Sequence, residues 1–141
     1  MRLPLLIASV TALLGAAPAP DGERSTRAQA KLDKALAGRV AGATVDCVDV
    51  ARLSGPSIID SRTILYRDMS RRVWRNDLPE MCGILRPERI VVLQLQGNQL
   101  CRGDAIDILD RGLNVPMGSC RLGGFTPYEK GQNAPSQARL D

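Results

Sequence analysis

The hydrophobic positions change period at Thr44. Before it, in "RAQAKLDKALAGRVAG", Ala28, Leu32, Ala35, Leu36 and Arg39-Val40 recur near helical spacing, with Lys31, Asp33 and Lys34 on the other side. That pattern predicts an amphipathic helix of about three turns. Ser25 or Thr26 is placed to cap its start, and Gly38 or Gly42 to end it. The prediction is an N-terminal helix over 26–41. Its apolar face is narrow, so it should pack on one edge of something larger.

After Thr44 alternation takes over. In "VDCVDVARL", Val45, Cys47 and Asp49 fall on one face, and Asp46, Val48 and Val50 on the other. "SGPS" (54–57) reads as a turn. "IIDSRTILYRD" is β-branched and aromatic, and "MSRRVWRNDL" answers it with Val73, Trp74 and Leu78. The two runs meet at "RDMSR" and predict a hairpin. Pro79 and Pro87 bracket a loop holding Cys82. "RIVVLQLQ" (89–96) is the clearest strand, with Val91, Leu93 and Leu95 on one face. "QGNQ" is a tight-turn sequence, from which "LCRGDAIDILD" returns. "RGLNVPMGS" reads as a loop and "CRLGGFTPY" as a short closing strand broken by glycine. Residues 130–141 lack apolar periodicity, as a disordered tail does. One helix followed by about six short antiparallel strands is an α+β, mainly β pattern. It predicts a small barrel or sandwich over 42–129.

The first 20 residues have a separate logic. Arg2 is a short basic start, Leu3 to Leu14 are apolar, and Gly15 to Ala19 are small. This predicts a secretory signal peptide over 1–20, cut between Ala16 and Gly22. The apolar run is short for a bilayer span and Pro4 interrupts it, so stable membrane insertion after cleavage is not expected. Export would be of Sec type, to the periplasm or beyond. Cleavage removes Arg2 and no acid, taking the formal charge from +4 to +3. Such a mild, mixed charge suits adsorption to anionic surfaces and falls short of a nucleic-acid footprint. The expected partner is therefore an envelope component or a protein, with no nucleic acid and a monomeric chain.

Cys47, Cys82, Cys101 and Cys120 stand far apart, and the chain has no histidine. No pair has metal-ligand or redox spacing. In an exported chain they read as two disulfides, with three pairings open. Only Phe125, Trp74, Tyr66 and Tyr128 are aromatic, so bridges worth about 2–4 kcal/mol each would matter to a core poor in large side chains.

Three features carry possible chemistry. Arg102-Gly103-Asp104 matches an adhesive tripeptide but directly follows Cys101, where a turn or bulge onto the next strand is the simpler reading. Asp104, Asp107 and Asp110 are evenly spaced. On a strand, however, Asp107 points away from the other two, and these lie about 20 Å apart, so no metal site is expected. Arg67, Arg71, Arg72 and Arg75 gather around Tyr66 and Trp74. Guanidinium forks suit phosphate and carboxylate, so Arg67, Arg71, Arg72, Trp74 and Arg75 are candidate anion-binding residues. The plainer reading is a hairpin with wet arginines and Trp74 in the core. Without histidine, and with oxidised cysteines, catalysis would fall to Asp60, Asp104, Asp107 and Asp110. No catalytic residue or cofactor is assigned.

At "LAGRVAGATVDCVDV", "IIDSRTILYR", "VWRNDLP", "QLCRGDAIDILDR" and "LGGFTPY" the chain resembles a group of small exported alphaproteobacterial proteins of sphingomonad type, whose function is unknown. The resemblance covers roughly residues 30–128. In that group the Arg-Gly part of 102–104 is interchangeable while the Asp and the strand remain. Some relatives keep counterparts of Cys47 and Cys101 alone, which implies the pairs Cys47–Cys101 and Cys82–Cys120. The resemblance implies no activity or ligand. The expectation is a non-enzymatic envelope protein binding a protein or anionic envelope partner. The alternatives are a secreted inhibitor of a cell-wall-degrading enzyme and a small carboxylate-dependent hydrolase.

Overall fold

The computed structural model describes residues 24–131, so the predicted signal peptide and nearly all of the predicted tail lie outside the described residues. Helix α1 spans Thr26–Leu36, and Ser25 caps it by accepting from the Ala28 amide at 3.2 Å. Ala28, Leu32, Ala35 and Leu36 pack on Ile59, Leu65, Val73 and Tyr128, so the helix covers the face of the three middle strands of the largest sheet and not the edge that its narrow apolar stripe predicted. The helix predicted over 26–41 stops early. Gly38 takes φ +68°, a left-handed conformation that ends helices and that glycine adopts without steric penalty. Arg39–Ala41 then forms a strand, β1, so the β domain begins at 39 and not at 42.

Ten strands are present where about six were predicted. After β1 come β2 (Cys47–Asp49), β3 (Leu53–Ile58), β4 (Thr63–Asp68) and β5 (Val73–Asp77). They are followed by β6 (Ile90–Leu93), β7 (Gln99–Cys101), β8 (Ala105–Leu109), β9 (Pro116–Arg121) and β10 (Phe125–Lys130). The strands form a five-stranded sheet in the order β1-β10-β5-β4-β3, a three-stranded sheet β6-β8-β9, and the pair β2-β7. All pairings are antiparallel. The sheets stay open, so the barrel alternative is corrected.

The main core joins the face of the large sheet away from α1 to the three-stranded sheet. Ile64, Tyr66, Trp74 and Phe125 meet Ile106, Ile108, Cys120 and Leu100 there. Burial of this apolar surface is the main favourable term in such a fold. Both disulfides implied by the resemblance are present. Cys47 and Cys101 are direct partners in the β2-β7 ladder. Cys82–Cys120 ties the loop between β5 and β6 to β9.

Several local predictions are corrected by pairing. "SGPS" is strand, because Gly55 and Pro56 sit in a bulge between Ser54 and Ser57 of edge strand β3, where proline loses no interior ladder bond. The loop predicted over 111–119 ends at Val115, since Pro116 starts β9. β10 runs through Lys130 into the predicted tail. The chain does return after "QGNQ", but β8 pairs with β6 while β7 is diverted to β2. The predicted hairpin is found, as β4-β5 with Tyr66 opposite Trp74. No helix among the described residues is long and apolar enough to cross a membrane.

Candidate functional site

The turn between β4 and β5 carries the candidate arginines. Asp68 closes it, its amide donating to the Arg72 carbonyl at 2.8 Å, while the Arg71 amide donates to the Asp68 carbonyl at 3.0 Å. Arg71 has φ +66°. The last position of a three-residue hairpin loop is often left-handed and usually glycine. An L-residue there is held at a cost of roughly 1–2 kcal/mol.

Asp68 anchors the turn from inside. Its side chain is 5 % exposed. One oxygen accepts from the Ser70 amide (2.9 Å) and hydroxyl (3.1 Å), and lies 3.7 Å from an Arg52 nitrogen. The other faces the Trp74 indole N–H at 3.4 Å. Burial pushes the Asp68 carboxyl up, but the Ser70 bonds, the Trp74 bond and the Arg52 charge together hold it below the usual aspartate value.

The proposed anion set divides over this scaffold. Trp74 is buried in the core, as the plainer reading required. Arg72 lies over its ring, 5.1 Å from the centroid, and donates to Glu129 at 2.6 Å. Arg75 is taken up elsewhere: its Nε lies 2.7 Å from Asp77. Burial lowers its affinity for a proton, but Asp77 and the Tyr128 hydroxyl raise it further, so it stays charged. Arg67 and Arg71 form no ion pair among the described residues. They line an open depression of about 480 Å³ together with Arg72, Arg39 and Lys130.

The sequence reading placed Arg39 on the helix, where the structure has strand β1, and assigned Lys130 no role. They are direct partners in the β1-β10 ladder, two like charges opposite one another, which is a destabilising arrangement. Arg39 reaches across to donate to the Arg71 carbonyl at 2.7 Å, tying β1 to the turn. Lys130 has no ion pair among the described residues. No local signal pairs these residues; only the alternation of β10, had its full length been recognised, puts Lys130 on a face with Tyr128.

The four carboxylates considered for catalysis are each engaged. Asp60 pairs with Arg24 and accepts from the Arg62 and Thr63 amides. Asp104 accepts from the Cys101 amide at 2.7 Å, closing the turn that contains Gly103. Asp107 accepts from Ser119 and Gln94, and these bonds lower its proton affinity. Asp110 pairs with Arg89 and caps the 110–115 turn. Arg102 pairs with Asp46 at 2.7 Å, and the Asp104 amide donates to the Cys101 carbonyl at 3.1 Å, so residues 101–104 form a turn. No group of three metal-ligating side chains occurs among the described residues. Tyr66 is buried, with no hydrogen-bond partner for its hydroxyl among the described residues, and burial pushes its phenol far up. No protein-family model matches the chain, and neither a curated protein nor a solved structure matches it.

Proposed function

We propose that the domain is a non-enzymatic exported envelope protein that holds an anionic partner, protein or envelope component, on the basic face around the β4-β5 turn. The observation that carries this reading is Arg71. It occupies a left-handed position that favours glycine, and its guanidinium has no carboxylate partner among the described residues. Strained residues persist where the surrounding structure over-determines them, and they cluster at ligand clamps. The Arg39–Lys130 pair is a second place where positive charge is gathered against local stability. An external anion would offset both. Two disulfides suit the oxidising compartment that export implies.

Arg71→Gly tests this without damaging the fold, because it supplies the residue the turn prefers. The variant should be as stable as the parent or slightly more so. It should elute from phosphocellulose and release from isolated envelope membranes at lower salt. Adding Lys130→Gln should lower the salt further. Arg111→Gln, outside the depression, is the control of equal charge. Retention of Arg71→Gly equal to that of Arg111→Gln rejects the proposal.

A further inference from the structure

Beside the larger depression lies a second of about 370 Å³, lined by Ser70, Arg71, Arg72, Glu129 and Lys130. Glu129 already acts as an anion there. It accepts from Arg72 at 2.6 Å while the guanidinium rests on Trp74. We propose that Glu129 is a resident competitor at this site, and that the occupant which displaces it is a multiply charged phosphate. This inference rests on the basic-face reading above.

The argument is one of valence. Among the described residues Glu129 pairs with Arg72, and neither Arg71 nor Lys130 has an ion pair. A monoanion arriving at Arg72 would exchange one carboxylate contact for another. A di- or trianion bonds Arg72 and reaches Arg71 and Lys130 as well, which Glu129 does not. Guanidinium groups bind phosphate oxygens in bidentate fashion, and lysine adds a point charge. The lining contains no apolar side chain, so recognition is by charge and not by a ring or an acyl chain. The Arg72–Glu129 pair is itself weak. Glu129 is 59 % exposed, and exposed ion pairs shift equilibria by about five-fold at most. The competitor therefore weakens monoanions by up to about five-fold and yields to polyanions that reach Arg71 and Lys130 as well.

Trp74 is the only tryptophan and lies under Arg72, so its fluorescence reports the exchange. The probe is inorganic pyrophosphate at low ionic strength, with acetate as the monoanion and calorimetry in parallel in case the fluorescence is silent. Wild type, Glu129→Gln and Glu80→Gln are compared; Glu80 lies outside this depression and its variant makes the same charge change. The expected result is saturable pyrophosphate binding, about two- to five-fold tighter in Glu129→Gln than in Glu80→Gln, with acetate much weaker than pyrophosphate in every variant. Wild-type binding with Glu129→Gln no tighter than Glu80→Gln overturns the competitor role and leaves the basic face standing. Acetate binding as tightly as pyrophosphate overturns the valence argument. No saturable binding in any variant overturns the phosphate inference, and the salt elution of Arg71→Gly against Arg111→Gln then decides the basic-face reading separately. Vesicles containing phosphatidic acid, against phosphatidylcholine alone, separate the sources: sedimentation reversed by pyrophosphate assigns a lipid headgroup, and pyrophosphate binding without sedimentation assigns a soluble phosphate.

Discussion

Replacing Asn76 with alanine should be among the most damaging single changes in this domain. Asn76 is fully buried in β5. Its amide donates to the Gly123 carbonyl at 2.8 Å and its oxygen accepts from the Gly123 amide at 2.9 Å. The side chain thus completes the ladder where β10 has not yet begun. Gly123 cannot move off to find water. A Cβ built there would lie 1.9 Å from the Asp77 carbonyl oxygen, so the two backbones are in close approach. Alanine leaves one donor and one acceptor buried without partners, at about 1–3 kcal/mol each. The two together give about 2–6 kcal/mol, and the expected loss is about 3 kcal/mol. At an m-value of about 1.5 kcal/mol per M, the urea midpoint falls by about 2 M. Trp74 fluorescence is a suitable signal. Asn76→Asp refines the test. A protonated carboxyl can both accept from the Gly123 amide and donate to its carbonyl; an ionised one cannot donate. Burial raises the folded-state pKa of that carboxyl, so its contribution is present at low pH and lost as pH rises. The deficit against wild type should be small near pH 4 and large near pH 7. A loss below about 1 kcal/mol for Asn76→Ala with unchanged m-value, or a pH-independent deficit for Asn76→Asp, refutes the reasoning.

Asp68→Asn should remove part of the acid sensitivity of the fold. The Asp68 carboxyl titrates below its ordinary value, so its stabilisation is present above that value and lost as pH falls through the depressed one. Urea midpoints of wild type and variant should differ at pH 7 and converge toward pH 2; a constant gap would show that the charge is immaterial. The double variant Cys47→Ala/Cys101→Ala opens a loop of 54 residues' separation, for which chain entropy gives a loss of about 4 kcal/mol. Thermal unfolding measures it, and an unchanged midpoint would mean that the β2-β7 ladder holds without its bridge.

Local patterns were enough for some of this fold. The cap at Ser25, the three-turn helix and the β4-β5 hairpin with its turn at 68–72 all depend on residues close in sequence. Alternation and β-branching encode them directly. Gly38 was readable as a helix stop, but the strand behind it was not, because three residues at a sheet edge become strand only when β10 pairs with them. The same holds for β3 and β9, whose Gly, Pro and Ser signal turns locally and are overruled by ladders to β4 and β8.

The candidate site divides in the same way. Sequence alone brought Arg67, Arg71 and Arg72 together, because a hairpin turn gathers its own neighbours. It also grouped Arg75 and Trp74 with them, although Asp77 and the core hold these two apart from the depression. Arg39, Lys130 and Glu129 entered only through β1-β10 pairing and the reach of Arg72 to Glu129. Asn76 showed no sign in sequence of its bond to Gly123. The physical reason is range. Periodicity and turn chemistry act over a few residues and are written where they act. Register, sheet order and the meeting of distant charges come from which buried faces and backbone groups are satisfied together, a choice made only when the whole chain is packed.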